Sequence, residues 1–246
     1  MRVLVLEYDP LWAEAFEQIR SQLLTILSNV PIVSIEHVGS TSIPGLAAKP
    51  IIDIDIVVAP KDIFPAFSAL STGGYTYNPE PRNIDRASFR YNKHTHDSGG
   101  GAPTEDGGVR RAVYLNIPTG VSLKNHLAVQ RVLLTDRDLL EEYAAVKKTL
   151  ANDEFDHISD YGSAKAPVLR KILAKSDLAD SDHEEIARFN VQLGQVLEGW
   201  CSQRGNGQTG CERRENQIGM SLVYHHNTCV DTDKETGSHM YSVEKG

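Results

Sequence analysis

The chain has 246 residues, 40 % hydrophobic and 24 % charged, with a formal net charge of −8. This is the composition of an ordinary soluble globular protein with enough apolar residues for a sizeable core, and its acidity argues against non-specific affinity for nucleic acid. No apolar run reaches the length of a membrane span, and the opening MRVLVLEYDP lacks the long apolar core and cleavage site of a signal peptide. Cys201, Cys211 and Cys229, odd in number and confined to the last quarter, do not make a disulfide framework, so the expected setting is a reducing cytoplasm with no membrane association.

Asp9-Pro10 opens the first expected helix, Asp9 as N-cap and Pro10 at the first helical position. Trp12, Phe16, Ile19, Leu23 and Ile26 follow at three- and four-residue steps and give that helix one face for a core. Val30-Pro31 ends it. Ile32 to Val38 reads as a strand, and Ile51 to Val58, nearly all β-branched, as a second and central one. A short helix near Asp62 to Leu70 is broken by Gly73-Gly74. From Arg82 to Gly108 the periodicity dissolves, and the glycine-rich SGGGAPTEDGG is expected to be disordered. A strand returns at Arg111 to Ile117. Helices follow at about Leu123 to Leu134, Asp136 to Ala151 (N-capped by Thr135) and Ala166 to Lys175. Ser181 and Glu184 form a capping box before Ile186, Leu193, Leu197 and Trp200. The order implies a small mixed sheet with helices on one side and a helical C-terminal half.

The chemistry concentrates in EHVGSTSIPGLAAKPIIDIDIVV, residues 36–58. Asp53 and Asp55 lie one residue apart on a strand and therefore share a face, among isoleucines and valines that favour burial. Gly39-Ser40 ends the preceding strand in a turn that offers backbone N–H groups and a hydroxyl to a phosphate or acyl oxygen. Two carboxylates in such a place need a cation, and Mg²⁺ with a nucleoside triphosphate is one candidate. Basic residues are concentrated between Arg82 and Arg111, with Arg90 among them, and again from Lys147 to Lys175, in reach of phosphates if folded onto one surface. Lys49 precedes the acidic strand and is equally suited to a phosphate or to an acid. His126 and His157 read as surface or helix-packing residues, His94 and His96 as solvated loop residues. Cys211, His225, His226 and Cys229 match no common zinc-finger spacing.

This central motif resembles the signature of the GrpB-like (UPF0157) family, a branch of the nucleotidyltransferase-fold superfamily. YDPLWAEAFEQI, Gly74-Tyr75, EEYAAVKKTLA and DYGSAKAPVLRKIL extend the resemblance over roughly Val5 to Lys175. It implies an α/β (α+β) fold, a nucleotidyltransferase-like mixed β-sheet flanked by helices with a helical C-terminal half. Residues 1–178 would form that domain, 179–200 an amphipathic helix and 201–246 a polar disordered tail. One departure stands out. Nucleotidyltransferases of this fold place a third carboxylate on a later strand, and GrpB-like proteins commonly carry His-Leu-His there, where this chain has Tyr114-Leu115-Asn116. Glu36, Glu80, Asp85 and Asp97 are the acids left to fill the gap.

The resemblance extends to a fungal branch, the arginine-containing cyclodipeptide synthases, which close a diketopiperazine from two aminoacyl-tRNAs. On that reading the partners are arginyl-tRNA and a second charged tRNA, and no cofactor is required. Asp53 or Asp55 would select the arginyl guanidinium, since carboxylates bind it through paired hydrogen bonds. One of His37, Ser40, Thr41 and Ser42 would activate the amine or accept the acyl group. Gly39, Lys49, Arg90, Arg111 and Asn116 would contact substrate. The competing expectation is a Mg²⁺-dependent nucleotidyl- or phosphoryltransferase using ATP, with Asp53 and Asp55 as metal ligands. A third is a non-catalytic nucleotide- or RNA-binding module.

Overall fold

The fold follows from a computed structural model that describes residues 1–79, 85–92 and 109–186. Five strands form one mixed sheet in the order β1-β2-β5-β4-β3. They are β1 (Ser34–Val38), β2 (Ile51–Val57), β3 (Tyr75–Tyr77), β4 (Arg86–Tyr91) and β5 (Arg110–Asn116). β2 pairs antiparallel with β1 and parallel with β5, so the acidic strand is internal, as its β-branched run requires. The helices are α1 (Leu11–Ile26), α2 (Ile63–Thr72), α3 (Val121–Thr135), α4 (Arg137–Leu150), α5 (Ile158–Ala164) and α6 (Ala166–Leu173). No described helix is long and apolar enough to cross a membrane.

The main core lies on one face of the sheet. Ile52, Ile54 and Ile56 of β2, Phe89 of β4, and Val113 and Leu115 of β5 pack there with Trp12, Phe16, Ile19 and Leu23 of α1 and Ala66 and Leu70 of α2. The predicted apolar stripe of α1 is the buried one, and Asp9 Oδ1 accepts a hydrogen bond from the Leu11 amide at 2.9 Å to start it. A second cluster joins Ile43 and Leu46, from the loop after β1, to Val132 and Leu133 of α3, Leu139 and Tyr143 of α4, and Val168 and Ile172 of α6. The C-terminal helices thus anchor on the loop between the two motif strands, and helices do not lie on one side only.

Several local expectations are revised. The stretch from Arg82 to Gly108 contains a strand, β4, paired with both β3 and β5. Its RASFRY sequence does alternate: Ala87, Phe89 and Tyr91 belong to the core side, while Arg86, Ser88 and Arg90 point to the opposite face. Asp136, not Thr135, caps α4, its Oδ1 accepting from the Leu139 amide at 3.0 Å. Residues 180–186 are already helical, so Ser181 sits inside the first turn rather than capping it. The seven-residue α5, unread in the sequence, starts where Asp160 Oδ2 accepts from the His157 amide at 2.9 Å. Leu193, Leu197, Trp200, the 201–246 tail, SGGGAPTEDGG and the Cys211–Cys229 set lie outside the described residues.

Candidate functional site

Strand register builds the site. On the face of the sheet opposite the main core, Asp53 has Val38 on one side and Ala112, then Arg90, on the other. One row along, Asp55 lies between Glu36 and Tyr114, with Ser88 beyond. A cavity of about 460 Å³ opens over this face. Asp53 is the one acidic residue among its described lining, against Lys49, Arg90, Arg110, Arg111, Lys147 and Lys165. The basic segments read from the sequence therefore converge, from β4, β5, α4 and the α5–α6 junction, on one carboxylate.

The two aspartates differ sharply. Asp55 is fully buried, and both of its oxygens are held by protein: Oδ1 accepts from Asn116 Nδ2 at 2.9 Å, and Oδ2 lies 2.8 Å from His126 Nδ1. Arg86 Nη1 stands 3.2 Å from the other ring nitrogen of His126. A guanidinium can only donate, so Nε2 accepts and Nδ1 carries the proton given to Asp55. The Arg86 guanidinium also lies over the Tyr114 ring, 4.2 Å from its centroid. Tyr114 in turn donates its hydroxyl to Asp53 Oδ1 at 3.3 Å. Asp53 itself faces the cavity. Burial pushes its carboxyl above the ordinary aspartate range, while Lys49 and the Tyr114 hydrogen bond pull the other way.

The turn before this strand is shaped to Asp53. Gly39 has φ of +71°, and a Cβ there would sit inside contact distance of Asp53 Oδ2. Only glycine allows the backbone that close. Thr41 donates its hydroxyl to the Ile51 carbonyl at 3.0 Å, and Ser42 donates to the Gly39 carbonyl at 2.7 Å. Gln130 Nε2 bonds both the His37 carbonyl and Ser42 Oγ, at 2.9 and 2.8 Å. His126 and Gln130 are four residues apart and so share a face of α3. One helix face thus grips both the acidic strand and the Gly-Ser turn.

The predicted residues are divided by this arrangement. Ser40, Thr41, Lys49, Asp53, Arg90 and Arg111 line the cavity together, with Gly39 against Asp53. Arg111 is held by Gln22 Oε1 and the Tyr75 hydroxyl, at 2.8 and 3.3 Å, and lies over the Tyr91 ring. Asn116 and Asp55 are buried beneath the face as a bonded pair, and Ser42 is tied into its own loop.

His37 is on the other side of the sheet. It pairs with Ile54 and stacks on Phe16 at 4.7 Å between centroids. Its Nε2 lies 3.1 Å from Thr41 Oγ1, whose own proton goes to Ile51, so the histidine is the donor there and not a base for the threonine. Burial pushes the His37 pKa from an ordinary 6.5 down to about 4. The unfolded chain takes up that proton first, so this group's contribution to stability is complete above pH 6.5 and is lost as pH falls toward 4. Urea midpoints at pH 7 and 4.5 should therefore fall further in the wild type than in His37→Phe; equal falls would show that His37 does not carry the effect.

The acids considered for a third metal ligand do not complete a set. Ala112 and Tyr114 occupy the β5 positions beside Asp53 and Asp55. Asp85 bonds the amide and hydroxyl of Ser122 at 2.7 and 2.6 Å, at the start of α3. Glu36 is half-buried on the outer strand, and Glu80 and Asp97 lie outside the described residues. Among the described residues, no three His, Cys, Asp or Glu side chains are grouped to hold a metal ion. Mg²⁺ needs carboxylate oxygens presented to the ligand. With Asp55 buried and bonded at both oxygens, the donor set does not fit a two-carboxylate magnesium site.

Sequence reading missed His126 as the partner of Asp55 and Tyr161 as a cavity residue, and it placed Arg86, Lys147 and Lys165 only within the basic segments. His126 gave no signal because its partner is 71 residues away. Lys147 sits on an amphipathic helix, where a lysine reads as solvated.

Residues 2–175 match the profile of the family described as GrpB protein. UPF0157 protein BH1888 of Halalkalibacterium halodurans is 31 % identical over 186 residues, 71 % of this chain and 83 % of the relative. The crystal structure of conserved protein GrpB from Enterococcus faecalis superposes with a TM-score of 0.56 at 27 % identity, over 70 % of this chain and 98 % of the other. The Cid1 poly (U) polymerase H336N mutant bound to MgATP is a distant likeness, with a TM-score of 0.36 at 10 % identity over 58 % of this chain and 45 % of the other, and a likeness at that level says nothing about activity.

Proposed function

The chain belongs to the GrpB family, and from that premise we propose that it is a transferase acting on a phosphate-bearing nucleotide substrate, specifically an arginine-containing cyclodipeptide synthase that draws on aminoacyl-tRNAs. The observation that carries this reading is the asymmetry of the two acids: Asp53 faces a cavity whose other charged residues, among the described lining, are all cations, while Asp55 is sealed against His126 and Asn116. The cations suit the phosphates at the 3′ end of a tRNA, whose binding would weaken with salt. The lone carboxylate suits the arginyl guanidinium, which it meets with paired, charge-assisted hydrogen bonds.

The chemistry requires no metal. The α-amine of one aminoacyl group attacks the ester carbonyl of the other. A C–N bond forms, the C–O bond to the tRNA ribose breaks, and the proton leaving the amine ends on the freed ribose oxygen. The same exchange within the dipeptidyl ester closes the ring. What the protein supplies is orientation and proton transfer. Ser40 is the hydroxyl of the Gly-Ser turn that lines the cavity without a hydrogen bond to the described side chains, which suits it to pass that proton or to hold the acyl group.

Mass spectrometry of an expressing culture, and of purified protein supplied with arginyl-tRNA and a mixture of other charged tRNAs, should reveal a cyclic dipeptide containing arginine. Its absence with charged tRNAs supplied would sink the reading. The competing one, nucleotidyl or phosphoryl transfer from ATP with Mg²⁺, draws support from the Gly-Ser turn set against Asp53. Release of pyrophosphate or AMP on incubation with ATP and Mg²⁺ would put it first. Ligand binding without turnover in either assay would leave a binding module.

A further inference from the structure

At the α4–α5 end of the cavity two buried polar groups have no partner. Lys147 of α4 is 2 % exposed and lines the cavity, and its Nζ makes no hydrogen bond. The hydroxyl of Tyr161, from α5, is likewise buried and unbonded. The groups facing this corner are cationic or phenolic. From α4 itself, the Tyr143 ring lies 4.3 Å from Lys147 Nζ. From the α5–α6 junction, Lys165 Nζ lies 4.5 Å from the Tyr161 ring centroid, and from the stretch before β2, Lys49 Nζ lies 5.8 Å from it. Among the described lining no acid but Asp53, on β2, is present.

Native proteins satisfy buried polar groups, and groups left over inside a cavity mark where something else binds. The complement here must accept hydrogen bonds from a phenol and an amine and carry negative charge for Lys165. A phosphate oxyanion meets all three requirements. It also changes the corner's protonation. Burial, with Lys165 nearby, pushes the Lys147 pKa down to about 6, which favours the neutral amine at pH 7.5 as long as no anion is bound. Burial likewise pushes the Tyr161 phenol up, which keeps it a donor. A phosphate beside Lys147 supplies the counter-charge that burial denied it, and the ammonium becomes the favoured form.

We propose that Lys147 and Tyr161 form a phosphate subsite that takes up a proton when the anion enters. The inference deepens the reading of the cleft as one for a nucleotide-bearing substrate and rests on it. The subsite takes the phosphodiester of a tRNA end or the phosphate of a free nucleotide by the same chemistry.

Titration calorimetry of the full chain at pH 7.5, in two buffers of different ionisation enthalpy, tests this. The first probe is the trinucleotide CCA, whose diesters do not titrate near that pH. Wild type should take up close to one proton per CCA bound, with affinity falling by up to about tenfold per pH unit between 7 and 9. Lys147→Arg, permanently charged, should bind CCA without proton uptake. Lys147→Met, which keeps the buried stem, should bind at least about tenfold more weakly, also without uptake. With ATP as the second probe, uptake is read as the difference between wild type and Lys147→Arg, which removes the nucleotide's own titration. Uptake with ATP alone would assign the subsite to free nucleotides. Binding without proton uptake, unchanged uptake in Lys147→Met, or no binding of either probe would overturn the proposal. A chain that makes the cyclic dipeptide yet binds CCA without uptake loses only this inference; one that takes up the proton and makes no product loses only the reading of its function.

Discussion

His126→Ala is expected to remove about 2–3 kcal/mol of stability, the usual cost of leaving a buried charged acceptor without one of its donors. Asp55 has no access to solvent, and the imidazole 2.8 Å away supplies one of the two side-chain hydrogen bonds that hold its carboxylate. Deleting the ring leaves a buried carboxylate oxygen without its donor and frees Arg86 Nη1 of one acceptor. Urea denaturation reads the loss directly. His126→Gln, which keeps a donor on the same helix face, should recover part of it. If His126→Ala were as stable as the wild type, Asp55 would have to be held by something other than α3, and its structural role would fall.

Asp53→Asn should behave in the opposite way. Burial already disfavours the charge on Asp53, and an amide oxygen can still accept from Tyr114, so the variant should fold as stably as the parent. Under the proposed synthase activity, its turnover should nevertheless collapse. Loss of a desolvated, hydrogen-bonded charge partner corresponds to about 10²–10³-fold in kcat/KM for formation of the arginine-containing product. Product yield by mass spectrometry, alongside a denaturation curve, separates the two effects. Wild-type turnover in a folded Asp53→Asn would show that the cleft carboxylate does not choose the substrate.

The two predictions diverge because residues 53 and 55 look alike in the sequence and are not alike in the fold. That both share a strand face was readable from IIDIDIVV, since alternation alone dictates it. Which of them remains available to a ligand depends on α3, which reaches Asp55 from 71 residues downstream. The strand β2 and the stripe of α1 were legible because a long β-branched run and a 3.6-residue period leave little choice. β4 was not, because six residues with two arginines and a serine on one face offer too brief an apolar alternation to stand out from the polar sequence around them. Lys147 was hidden for another reason. A lysine on an amphipathic helix ordinarily reaches water, but this one is enclosed beside the Tyr143 ring, at the end of the cavity that Tyr161 also lines.

The grip of α3 has a mechanical consequence. His126 and Gln130 tie the acidic strand and the Gly-Ser turn to a single 15-residue helix, which itself packs on α4 and α6. The floor of the cleft is therefore one stiff piece, and bending it would break several part-buried hydrogen bonds together. The wall that carries Tyr161 is different: α5 has seven residues, too short to hold its shape without neighbours. Whatever travel the cleft needs to admit a ligand falls to that wall, which would swing against a fixed anvil.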